Sequence, residues 1–153
     1  MSWQGAASTL GAMAAGVALL YFSPLAKVVL WSPMRGRVLL NGVPAAGAVL
    51  VRKYFWHWPD QPGTDSTIAD ANGEFAFPTI SGRMLLGKIL PHEPLIEQSM
   101  NIQYQGAVHR AWGYFSHSYG LNGENGGHPI VVTCHLEAER APHGDVMGIC
   151  EFQ

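Results

Sequence analysis

From residue 32 onward, apolar and polar side chains alternate in short stretches, the two-residue period of strands with one buried face. Met34, Val38 and Leu40 share a face, and Arg35 and Arg37 take the other. Asn41-Gly42 follows, a pair suited to a type I′ hairpin, whose two central residues both need positive φ. Pro44 and Gly47 bracket the start of a second strand that runs through Val49 and Val51 to Trp56. Pro59, Pro62 and Gly63 mark a loop, and a third strand near 66–69 leads into the tight turn Asp70-Ala71-Asn72-Gly73. Phe75 and Phe77 then point inward and Glu74 outward, until Pro78 ends the strand. Further strands are predicted at 83–90, 98–105, 107–115 and 129–138, with a tail strand at 146–151. Met100, Ile102 and Tyr104 alternate with Asn101, Gln103 and Gln105, the pattern of a half-buried antiparallel strand. The stretch 120–129, with Gly at 120, 123, 126 and 127, reads as a long mobile loop. No helix is predicted after residue 32, so the fold class is all-β, a sandwich of about seven strands.

The amino end breaks this pattern and divides the chain into an apolar segment, 1–31, and a sandwich domain, 32–153. Lys27 is the first charged side chain, and Leu10 to Phe22 is a continuous run of small and apolar residues. A hydrocarbon core about 30 Å thick takes roughly 20 helical residues, so residues 3–31 are predicted as an apolar helix, an inner-membrane anchor or an export signal. The basic start of a signal peptide is missing. No Cys precedes Cys134, which excludes a lipoprotein anchor. A helix packed on the domain or on a partner is the alternative.

Two features disagree about the compartment. Lys27, Arg35 and Arg37 follow the apolar run and would hold that side in the cytoplasm by the positive-inside rule. Cys134 and Cys150, the two cysteines of the chain, point the other way. Cys134 shares an inward face with Ile130, Val132 and Leu136, and the tail strand would bring Cys150 back toward it. A disulfide there would contribute about 3 kcal/mol through loop closure and would persist in an oxidising compartment. Two reduced, buried cysteines are the alternative. The expectation adopted is the periplasm.

Composition narrows the function more than it names one. A chain of 153 residues holds one ordinary domain, and 18 Gly and 10 Pro suit many short strands joined by turns. A net charge of −2, with no block of like charges, leaves no footprint for nucleic acid. The turn at 70–74 lacks the ligand spacing of a calcium loop, and a hairpin explains it. His92-Glu93 has Ile at position 96 where a zinc protease needs a second His, and Pro91 and Pro94 forbid the helix. Cys134 and His135 are neighbours on a strand and point to opposite faces, so they make no nucleophile pair. No nucleophile elbow or phosphate loop occurs. No catalytic residue, metal site or cofactor is predicted.

Two stretches carry a family pattern. GRVLLNGVPAAGAVLVRKY (36–54) resembles the opening of carboxypeptidase regulatory-like, transthyretin-like domains: a Gly-x-Val strand, a Gly-x-Pro turn, then Ala-Gly-Ala-x-Val. STIADANGEFAFP (66–78) resembles their second signature, in which an acidic turn and Gly precede a Phe-x-Phe strand. The remainder is similar to a narrower, uncharacterised bacterial group. PHEPLIEQSMNIQYQG (91–106) matches its Pro-His-Glu-Pro segment, and VVTCHLEAE (131–139) matches a Cys-x-Leu strand that precedes a final Cys, here Cys150. The resemblance implies a transthyretin-like sandwich and, because some members of that group look like periplasmic immunity proteins of type VI secretion, a toxin-binding role. The hydroxyisourate hydrolases of this fold end in Tyr-Arg-Gly-Ser. This chain ends Cys150-Glu151-Phe152-Gln153, so no such activity is expected.

The residues offered for partner binding are aromatic. Tyr54, Phe55, Trp56, His57 and Trp58 run out of a strand toward Asp60, and alternation can bury only one side of them. Tyr114, Phe115, His117 and Tyr119 run into the Gly-rich loop with Asn122 and Glu124, a second surface. The leading expectation is an immunity protein that occludes a cognate toxin with one of these surfaces. An adaptor domain of an envelope assembly, docked through its apolar amino end, is the alternative.

Overall fold

A computed structural model describes residues 26–84 and 92–153. The chain divides into two compact units, one of Val29–Ser81 and Glu93–Gln153, the other of Met1–Val28 and Gly82–His92. Thirteen strands run through the described residues: β1 Ala26–Trp31, β2 Met34–Leu40, β3 Val43–Pro44, β4 Val49–Trp56, β5 Gln61–Ile68, β6 Glu74–Phe77, β7 Ile80–Met84, β8 Ile96–Tyr104, β9 Ala107–Ser116, β10 Ile130–His135, β11 Ala141–His143, β12 Val146–Gly148 and β13 Cys150–Phe152.

They form a β-sandwich. One sheet runs β13-β10-β2-β3 with β6 also on β2, and the other runs β11-β12-β9-β8-β4-β5; β1 and β7 make a separate pair. β10 lies parallel to β2, and every pairing in the six-stranded sheet is antiparallel. The inward residues of both sheets meet in one core, with Met34, Val38, Val132 and Cys134 from one side and Leu50, Met100, Ile102 and Trp112 from the other. At Gly36, between β10 and β6, a Cβ would run into the Val132 carbonyl oxygen, so β2 needs glycine there. Asn41 and Gly42 both have positive φ, as a type I′ turn requires, and Gln105-Gly106 repeats the device between β8 and β9.

Cys134 faces Cys150 across the β10–β13 pair, and the two are joined in a disulfide. The inward placement of Cys134 and the return of Cys150 on a tail strand agree with the alternation.

Several expectations change. Strands outnumber seven because short pairs such as β3, β11 and β12 leave almost no periodic signal. Pro62 and Gly63 lie inside β5, not in a loop; β5 is the edge of its sheet, where a missing N–H is tolerated. The boundary at residue 31 falls inside the fold: residues 26–31 form β1, not helix, and Leu30 and Trp31 are buried. The rest of the expected amino-terminal helix lies outside the described residues, and among those described no helix is long and apolar enough to cross a membrane. Of the strand expected at 83–90, Arg83 and Met84 belong to β7 and the remainder lies outside the described residues. The stretch 120–129 is tied down. Asn122 takes the left-handed conformation, a single 3₁₀ turn spans Gly123–Asn125, and the amides of Asn125 and Gly127 both donate to the Asn122 carbonyl.

Candidate functional site

β4 alternates as it leaves the sheet. Leu50, Arg52 and Trp56 are fully buried, and Tyr54 packs half-buried on the core. Phe55 and His57 therefore point to the outer side, with ring centroids 4.6 Å apart in edge contact. β8 and β9 place their own outward residues beside them. Phe55 lies opposite Pro62 on β5 and Glu97 on β8, and Glu97 lies opposite Phe115 on β9. One row across four strands thus reads Pro62, Phe55, Glu97, Phe115. Phe115 is 57% exposed and Trp58, just beyond β4, 43%. His57 Nε2 stands 3.7 Å from Glu97 Oε2, and His117 Nδ1 stands 3.3 Å from Glu93 Oε1. The two stretches predicted separately from their aromatic content meet on one surface.

That surface is held from behind. The Trp56 indole N–H donates to the Tyr119 hydroxyl at 3.0 Å, with the rings at right angles. Glu124 is buried and takes three hydrogen bonds: Oε1 accepts from the Ser32 amide at 2.9 Å and from Gln98 Nε2 at 3.0 Å, and Oε2 accepts from the Ser32 hydroxyl at 2.7 Å. The Ser32 hydroxyl in turn accepts from the Asn122 amide at 2.7 Å. Gln98 continues the chain, donating to the Leu30 carbonyl and accepting from the Trp112 indole. Tyr114 donates to the Gly123 carbonyl at 3.5 Å. Its phenol is raised above the usual 10.0, first by burial and then by the negative charges of Glu124 and Asp145.

On the other side of Ser32, Arg52 is buried with its guanidinium paired to both Asp65 oxygens, at 2.9 and 2.6 Å. It lies 4.1 Å from the centroid of Phe77 and 5.1 Å from that of Trp31, and donates to the Pro78 carbonyl. Such a bidentate, ring-stacked pair suits arginine and not lysine.

These placements sort the expected residues. Phe55, His57, Trp58, Asp60, Phe115 and His117 reach the surface, with Asp60 in the left-handed hairpin turn between β4 and β5. Tyr54, Trp56, Asn122 and Glu124 support it: Trp56 and Glu124 are buried, so neither can touch a partner. Tyr114 and Tyr119 are partly exposed, and Tyr119 joins the two stretches through Trp56. Glu97 went unnoticed in the sequence, although extending the alternation of Met100, Ile102 and Tyr104 backward puts Gln98 and Ile96 inside and Glu97 outside. Arg52 and Ser32 carried no local signal.

The five-stranded sheet differs. Its outer face holds a groove of about 660 Å³ lined by Arg35, Arg37, Glu74, Thr133 and Gln153 among others. Arg37 pairs with Glu74 at 3.3 Å, and His135 stands 3.8 Å from both Glu137 and Glu151. The Glu137 carboxyl is held below its usual range, chiefly by backbone hydrogen bonds from its own amide and Asn41, with His135 adding a smaller pull. Among the described residues no cluster of three or more His, Cys, Asp or Glu is placed to hold a metal ion.

Fold and site together define a disulfide-closed β-sandwich with an aromatic, carboxylate-bearing surface at one end of its six-stranded sheet. The chain belongs to the family described as Domain of unknown function (DUF6795), which matches residues 34–139 and so includes Phe55, Glu97 and Phe115. No curated protein and no solved structure matches the chain.

Proposed function

We propose that this protein is a non-catalytic binding module, an immunity protein that occludes a cognate type VI secretion toxin in the periplasm. The observation that carries the reading is the gathering of Phe55, His57, Trp58 and Phe115 onto one surface backed by the Trp56–Tyr119 and Glu124–Ser32–Gln98 hydrogen bonds. Exposed aromatic side chains on a rigid frame are the usual anchors of protein interfaces, because they bury large areas while losing little conformational entropy. Glu124, Ser32 and Trp56 hold the surface in one shape before binding. The Cys134–Cys150 disulfide suits an oxidising compartment, and the apolar residues that precede β1 would serve export or anchoring. The likeness of 91–106 and of the carboxyl-terminal cysteine strand to a group that includes immunity proteins supports this partner class.

The test is co-expression of the full chain with the toxin encoded beside it. A stable complex on size exclusion, together with survival of cells that export the toxin to their periplasm, is the expected result. Unrelieved killing with no complex would overturn the reading.

A further inference from the structure

The aromatic surface has a charge at its centre. Glu97 sits in the row between Phe55 and Phe115, one strand from each. Strands are about 4.8 Å apart, so the two Phe positions flank the carboxylate about 10 Å from one another. Oε2 of Glu97 faces His57 at 3.7 Å, beyond hydrogen-bond distance, and Oε1 has no partner among the described residues. Lys53, the next outward residue on β4, lies one row away opposite Ser99.

The interior of the same molecule shows what such a set of groups holds. There Asp65 takes both nitrogens of Arg52 while Phe77 and Trp31 lie against the guanidinium. On the surface Glu97, Phe55 and Phe115 supply a carboxylate and two rings, with no guanidinium between them. From this parallel we infer that the Phe55–Glu97–Phe115 row is a slot for an arginine side chain of the protein partner. The inference rests on the reading above, that a protein binds this surface, and adds the chemistry of its anchor. A guanidinium lowered onto the row would pair with the carboxylate through two N–H groups and lie against aromatic rings on either side. An ammonium would gain the charge but not the bidentate geometry, and an aliphatic side chain would leave Glu97 covered and unpaired.

The chain alone tests this. Oxidised, isotope-labelled protein is titrated with the peptides acetyl-Gly-Arg-Gly-amide, acetyl-Gly-Lys-Gly-amide and acetyl-Gly-Leu-Gly-amide, and backbone amide shifts are followed. The arginine peptide is expected to bind in the millimolar range, with shifts gathered at 55–57, 96–98 and 114–116, and more tightly than the lysine peptide. Glu97→Gln and Phe115→Ala are each expected to weaken it about fivefold, a loss of the size measured for exposed ion pairs and ring contacts. Glu151→Gln on the opposite sheet should change nothing. Equal binding of the leucine peptide, shifts scattered over the surface, no binding at all, or an arginine response that survives Glu97→Gln would each overturn the inference. Loss of the arginine response while the toxin complex still forms removes this inference alone. Arginine binding with no toxin complex removes the functional reading alone.

Discussion

The two outer faces of the sandwich share one strand geometry and end in different states. On the five-stranded sheet, Arg37 meets Glu74 within one row, and His135 stands 3.8 Å from both Glu137 and Glu151. On the six-stranded sheet, the row Pro62, Phe55, Glu97, Phe115 leaves a ring 57% exposed, and its one carboxylate stands 3.7 Å from His57. Neighbours about 5 Å apart across strands can neutralise opposite charges, but flat rings on a sheet surface cannot shield one another from water in that way. A face of paired charges is complete in water, whereas a face of rings gains from being covered. On the proposed reading, one sheet therefore serves as frame and the other as contact face.

The largest expected effect comes from removing what holds the contact face in shape. Glu124→Ala orphans two buried donors, the Ser32 amide and hydroxyl, and leaves Gln98 Nε2 with the Leu30 carbonyl alone, at about 3–5 kcal/mol in total. Denaturant unfolding should show that loss, and hydrogen exchange should rise first across 117–129. Next is the frame. Removing the disulfide with Cys134→Ala and Cys150→Ala, residues 16 apart, should lower unfolding stability by about 3 kcal/mol while toxin affinity of the folded protein stays unchanged.

Phe115→Ser separates the two duties more sharply. Stability should move by no more than about 0.5 kcal/mol, as for an ordinary surface change, whereas affinity for the toxin should fall by about 2 kcal/mol, roughly thirtyfold. Arg37→Ser on the opposite face should alter neither. If Arg37→Ser weakens binding and Phe115→Ser does not, the assignment of duties is reversed.

The smallest effect is one of pH. The Tyr114 phenol is raised in the folded state, so the native protein keeps a proton that the unfolded chain releases above 10.0. Its contribution is complete below that value and is lost as pH rises through the folded value. Unfolding measured across alkaline pH should show this fall, and Tyr114→Phe should flatten it.

How far the sequence foretold these faces depends on the distance over which each contact acts. Alternation within β8 and β10 placed Met100, Ile102 and Cys134 inside, because a strand's two faces are a local property. The aromatic run at 54–58 was visible as a surface for the same reason. Which of its sides faces the core was not, since that follows from Arg52, whose inward charge is stabilised by Asp65 across a hairpin that looked like a loop around Pro62. Glu124 looked like a loop carboxylate because its partners Ser32 and Gln98 are 92 and 26 residues away. The row that joins Phe55 to Phe115 exists only once β4, β8 and β9 are in register, and register across three strands is not written in any one of them.

The assignment of contact to the six-stranded sheet meets its most direct test in a hydrogen-exchange footprint of the toxin complex, compared peptide by peptide with the free chain. The account predicts added protection at 55–58, 93–98 and 114–121, with 35–37 and 133–137 unchanged. Protection confined to 35–37 and 133–137 would contradict it.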